Sequence, residues 1–101
     1  MAAKSSNNRA NNNKINVRIA VSAAKKYLQS LQSILEYKIQ DLRLEEVEFS
    51  EDRKYWLITL GFIANTTGEE ESFFLKKERE YKVFKVNAET GKVESMKIRE
   101  L

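Results

Sequence analysis

Lys54–Ile63 reads KYWLITLGFI, and its reading decides the fold. Aromatic and branched residues dominate the stretch, which marks a β-strand. Successive strand residues point to opposite faces. Trp56, Ile58, Leu60 and Phe62 therefore share one face, and Tyr55, Leu57, Thr59 and Ile63 share the other. An antiparallel sheet with one solvated face normally shows polar residues on alternate positions. Here both sets are largely apolar, so this is a central strand whose two faces both need an account.

The flanking segments supply its neighbours. Downstream, Tyr81–Ile98 reads YKVFKVNAETGKVESMKI. Two alternating runs, Glu80 to Asn87 and Lys92 to Arg99, enclose a short turn in which Gly91 offers the left-handed backbone of a tight hairpin. Phe84 and Val86 fall beside the core set of Lys54–Ile63. Tyr81 and Val83 fall beside the other set. Upstream, Leu42 to Phe49 alternates, but Leu42 and Leu44 are out of phase with Val47 and Phe49. A bulge near Glu45-Glu46 restores them to one face. Ser50 to Arg53 is a turn signal. Ile15 to Glu36 has helical period, with Val17, Val21, Ala24, Leu28, Leu31 and Leu35 on one stripe. Ala20, Tyr27 and Ile34 widen that stripe beyond a two-position coiled-coil seam, which suits a helix lying on a sheet. Asn13 or Asn16 is placed to cap it, and Tyr37 to Leu42 is expected to fray or turn. The expected class is α+β, one long N-terminal helix packed on a four-stranded antiparallel meander sheet.

The hairpin residues Val83-Phe84-Lys85-Val86-Asn87-Ala88-Glu89-Thr90-Gly91-Lys92-Val93 also carry a resemblance. Two alternating apolar residues precede an Asn-Ala turn that ends in Thr-Gly-Lys-Val, and the stretch resembles the closing hairpin of PepSY-type domains, of the wider cystatin-like kind. An alanine-containing helix (Ala20, Ala23, Ala24), a Glu-Val strand and a Tyr-Trp strand precede it in the same order. The resemblance implies a small helix-plus-sheet module. It further implies peptide binding or restraint of peptidases, and it carries over no catalytic residue. The chain differs in its longer helix and in a 17-residue excursion at 64–80.

Composition narrows the chemistry. With 101 residues, no cysteine and no histidine, the chain has no disulfide, no thiolate metal site and no imidazole base. Its three glycines form no phosphate-cradling loop. Glu45 and Glu46 are adjacent on a strand, so alternation is expected to part them, and the other acids sit in turns. No enzyme activity, metal or cofactor is expected. The net charge of +3 is unevenly spread. Residues 1–26 hold six Lys or Arg and no acid, whereas residues 27–101 hold twelve Lys or Arg against fifteen acids. Residues 1–14 form a basic, Asn-rich segment with little to bury and are expected to be disordered; residues 15–101 are expected to form a single domain. No apolar run approaches the roughly 18 residues of a membrane span, and a cytoplasmic location without membrane attachment is expected.

These readings point to a small binding or interaction module. The candidate partner-binding residues are Tyr55, Leu57, Thr59 and Ile63 on the outer face of the central strand. Tyr81 and Val83 continue that face, and Phe73 and Phe74 in the excursion lie close in sequence. One helix covers one face only, which leaves a lid formed by the excursion, a second copy in a homodimer, or a peptide or apolar ligand for the other; the expected partner is a protein or peptide. The sequence argues against nucleic acid as the main partner, since no aromatic residues interleave the basic ones; weak binding through the basic tail and the helix start is the alternative.

Overall fold

The computed structural model describes residues 14–66 and 78–99. Helix α1 (Val17–Leu35) is followed by strands β1 (Tyr37–Phe49), β2 (Tyr55–Thr66), β3 (Arg79–Asn87) and β4 (Val93–Ile98). The strands pair antiparallel in the order β1-β2-β3-β4, so the α+β meander expected from the sequence is the observed fold.

Asn16 caps α1. Its extended backbone (φ −87°, ψ 172°) lets Oδ1 accept from the Ile19 amide at 2.9 Å. The buried stripe is narrower than the apolar pattern: Ala20, Ala24 and Leu28 are fully buried, whereas Val17 is 38 % exposed and Ile34 71 %. The small alanines let the middle of the helix approach the sheet closely, where Ala20 and Ala24 are wholly buried. At one end the Ile15 amide donates to the Ala88 carbonyl (2.6 Å) and the Trp56 indole donates to the Ile15 carbonyl (3.1 Å). Both contacts hold the helix start at the end of the sheet that carries the β3–β4 hairpin.

At the other end a single residue, Glu36, turns the chain with φ 57°, and β1 begins at once. Tyr37 to Leu42 is therefore strand rather than a fraying helix end. The amide of Ile39 donates to the Gln32 side-chain oxygen (2.9 Å), which ties the new strand to the last turns of the helix. β1 contains two register shifts, one between Gln40 and Arg43 and one between Leu44 and Glu46. The second is the bulge that the hydrophobic phase requires. The first carries Asp41 at φ 53°, a left-handed position that Asp tolerates better than most residues.

The inner face of the sheet holds the core. Ile58, Leu60, Phe62, Phe84 and Val86 are fully shielded from solvent and pack against Ala20, Ala24 and Leu28. Each large side chain of this kind contributes about 1.5–3 kcal/mol by burial. Phe84 meets Tyr27 edge to face at 6.2 Å between ring centroids. In the β3–β4 hairpin, Gly91 takes φ 76° and its amide donates to the Asn87 carbonyl (2.8 Å). Asn87 Oδ1 accepts from the amides of Glu89 and Thr90, which closes the turn locally. The β3–β4 hairpin is thus also an anchor of the helix start.

β2 runs on to Thr66, opposite Tyr37, and β3 begins at Arg79. The excursion expected at 64–80 is accordingly shorter at both ends. Phe73 and Phe74, like the tail at 1–13, lie outside the described residues. Lys14, at the end of the expected tail, donates from Nζ to the Arg53 carbonyl (2.8 Å).

Candidate interaction surfaces

Tyr55, Leu57, Thr59 and Ile63 share the outer face of β2, with Tyr81 and Val83 of β3 opposite Gly61 and Thr59. The structure therefore brings together the six described candidates named from the sequence. The row is not bare, however. Thr59 is buried and the other five are half-buried, because the neighbouring strands lay charged side chains over them.

Two arginines do most of this covering. Arg79, at the start of β3, reaches across β2 to Asp41 on β1. Its Nη1 donates to Oδ2 at 2.8 Å and its Nη2 to the Asp41 carbonyl at 2.9 Å, with Glu45 Oε2 at 3.4 Å. Arg99, just after β4, crosses two strands to pair with Glu46 on β1 and approaches the Thr59 hydroxyl at 3.3 Å. Long charged side chains commonly lay their stems along apolar surface while the charged heads find partners at its edge. Gly61 makes room for this arrangement. A Cβ there would meet Glu45 Cγ and Tyr81 Cε1 at 3.0 Å each, and the Glu45 carboxylate more closely still. The alternation that would part Glu45 from Glu46 fails at the bulge. Both carboxylates lie on the outer face, each against its own arginine, so they serve as strap anchors rather than as an acid–base pair.

Beyond the Arg99 strap a cleft of about 340 Å³ remains, floored by Tyr55, Leu57 and Val83. Lys85 Nζ stands 4.3 Å above the Tyr55 ring at its rim, a cation–π contact. Asp52 borders the same cleft. The Ser50 hydroxyl donating at 2.6 Å and the Lys54 amide donating at 3.0 Å hold its carboxyl below the ordinary value of 3.8, and the charges of Lys54 and Lys85 act in the same direction.

A larger opening lies on the other side of the molecule. Between α1 and β1 runs a groove of about 860 Å³ whose floor is aliphatic: Val17 and Val21 from the helix, Leu44 and Val47 from the strand. Leu44 is 45 % exposed, and Val17 and Val47 are each 38 % exposed. Arg18, Lys25 and Lys26 stand along its helical wall, and among the described residues no acid lines it. The sequence pattern puts Leu44 and Val47 on the inner face, but treats that face as covered by the helix. The missed signal is width. Strands about 4.8 Å apart make a four-stranded sheet some 19 Å across, roughly twice the diameter of a helix.

Among the described residues no group of three or more acids could hold a metal ion, and no helix is long and apolar enough to cross a membrane. In comparison with known proteins, no family model, curated protein or solved structure matches the chain.

Proposed function

We propose that the chain is a small, non-enzymatic protein- or peptide-binding module of the cytoplasm, and that it engages its partner chiefly through the groove between α1 and β1. One observation carries this reading: Val17, Leu44 and Val47 stand open to solvent in one concave patch, whereas the apolar row of the outer face is half-buried and is crossed in part by two arginines paired to acids. Exposed contiguous apolar surface on a small domain commonly marks a site of association. The absence of histidine and cysteine from the chain and the commitment of Glu45 and Glu46 to arginines favour binding over catalysis. The resemblance of the closing hairpin to PepSY-type domains points the same way, towards peptide recognition. The outer-face candidates enter as a secondary contact, through the cleft floored by Tyr55, Leu57 and Val83.

The test is affinity capture from native lysate with the full chain, in parallel with Leu44→Glu and Val47→Glu. A protein retained by wild type and lost from both variants supports the reading. Retention that persists in both variants but is abolished by Leu57→Glu moves the site to the outer face. Retention of nucleic acid alone, falling steeply with salt and with removal of residues 1–13, replaces the reading by nucleic-acid binding.

A further inference from the structure

The groove has a chemistry and a shape that specify its occupant, and we infer that it receives an acidic amphipathic helix from a partner protein. This rests on the reading of the chain as an interaction module and names the class of partner.

Shape comes first. The start of α1 is held at the hairpin end of the sheet by the Ile15–Ala88 and Trp56–Ile15 hydrogen bonds, and the helix ends in the one-residue turn at Glu36 that opens β1. Helix and strand leave that shared corner side by side, and the groove between them is lined by Val17 and Val21 on one side and Leu44 and Val47 on the other. On β1, Ile39 and Leu42 pack against the core while Leu44 and Val47 stay exposed, so the open floor lies at the far half of that strand. A second helix set there beside α1 would complete the layer. Addition of a strand is a poorer fit. The free edge of β1 is interrupted at Gln40/Arg43 and again at Leu44/Glu46, with Asp41 turned to φ 53° between them. Bulges of this kind break the unpaired ladder that an incoming strand needs.

Charge decides the rest. Arg18 and Lys25 are seven residues apart on α1, two turns or about 10 Å, with Lys26 beside them. A partner helix with acids spaced by seven and an aliphatic stripe between them would meet both the wall and the floor. A second copy of this chain would set one cationic wall against the other if the groove met itself across a two-fold axis. Residues 1–13 carry Lys4 and Arg9 and no acid, so the tail of this chain is also the wrong sign. Nucleic acid would find cations here but no aromatic side chain on which a base could stack.

The experiment uses the full chain and a displayed library of amphipathic-helix peptides about 18 residues long, some five turns. An aliphatic stripe is fixed and the flanking positions are varied among Glu, Lys and Gln. Selection should enrich Glu at positions seven apart. By fluorescence anisotropy, an enriched peptide should bind about tenfold more tightly than its Glu-to-Lys counterpart. Val17→Glu and Leu44→Glu, both at exposed positions and checked by circular dichroism, should each weaken binding by about tenfold or more. The double variant Lys25→Glu/Lys26→Glu should reverse the charge preference. Enrichment indifferent to charge overturns the acidic assignment. Acid-rich peptides that bind both groove variants as well as wild type overturn the groove while leaving an interaction module elsewhere on the chain. No enrichment at all, with a protein still captured from lysate, overturns the helix; failure of both experiments overturns the module itself.

Discussion

Gly61→Ala probes how the outer face is built, because two opposing effects decide its sign. At an unobstructed strand position alanine would stabilise by about 0.5–1 kcal/mol, since glycine loses more backbone freedom on folding. At Gly61 the added methyl would sit 3.0 Å from Glu45 Cγ and 3.0 Å from Tyr81 Cε1, and nearer still to the Glu45 carboxylate. Glu45 can swing away, at the loss of its 3.4 Å pairing with Arg79, a partly exposed ion pair contributing about 0.5 kcal/mol. Tyr81 yields less readily. Its backbone is held between β2, where it pairs with Gly61, and the Arg99 amide, which donates to its carbonyl at 2.8 Å. Overpacking of this type costs about 1–3 kcal/mol, so the clash wins and the net loss is about 1–2 kcal/mol. At some 4–8 °C per kcal/mol for a domain of this size, the thermal midpoint should fall by roughly 4–16 °C. Urea unfolding of wild type, Gly61→Ala, Glu45→Ala and the double variant completes the cycle. In the Glu45→Ala background the loss should shrink by about 0.5–1 kcal/mol, because one of the two obstructing groups is gone. A Gly61→Ala protein as stable as wild type would refute the close approach of Glu45 and Tyr81 over this glycine. So would an identical loss in both backgrounds.

Three further outcomes follow from the same geometry. Gly91→Ala meets nothing closer than the Ile15 side chain at 3.8 Å, so its cost should be the left-handed backbone penalty alone, about 1–2 kcal/mol; thermal denaturation reads it, and an unchanged midpoint would count against the φ of 76°. Trp56→Phe removes the donor to the Ile15 carbonyl and should cost about 1 kcal/mol, with amide exchange accelerated most in the first turn of α1; uniform acceleration throughout the sheet would contradict an anchoring role. Asp52 has a lowered carboxyl pKa in the folded chain, so its contribution is present above the unfolded value and lost as pH falls through the lower folded one. Acidification to below pH 3.8 should therefore loosen the 50–54 turn, which an NMR titration of Asp52 and of the Lys54 amide would follow. Asp52→Asn should flatten that dependence, and an unaltered acid limb in this variant would rule the assignment out.

Much of the fold was legible because period and turn chemistry agree. The phase slip at Leu44 and Val47 is visible in the sequence, and the bulge sits where that slip demands it. The alternation of Trp56 to Phe62 marks the buried face of β2, and Gly91 marks the hairpin. The start of β1 was illegible for a local reason. Tyr37 to Gln40 continues both a helical and an alternating pattern, and only the backbone reversal at Glu36 chooses between them. The arginine straps were illegible for a non-local one. Arg79 and Arg99 lie 38 and 53 positions from the acids they meet on β1, and nothing in a one-dimensional pattern pairs them. The groove fell between these cases. Alternation places its floor residues Leu44 and Val47 on the inner face, but the breadth of four strands against one helix is a property of the assembled layers that no local pattern carries.

A strand apolar on both faces poses the same physical problem twice, and this chain meets it in two ways. On the inner face α1 buries Ile58, Leu60 and Phe62 completely, yet Leu44 and Val47 at the β1 side stay exposed. On the outer face, where no helix lies, arginine stems reach over the row from one sheet edge and are held by acids at the other. Those ion pairs are partly exposed and individually weak, so the cover they give is displaceable but already in place. Among the described residues the groove has no such cover, and its cations face no acid across it. A partner that brings both the aliphatic surface and the missing negative charge would gain in the groove what the outer face already supplies to itself. That difference, more than the size of either opening, is the reason we propose the principal contact on the helix side.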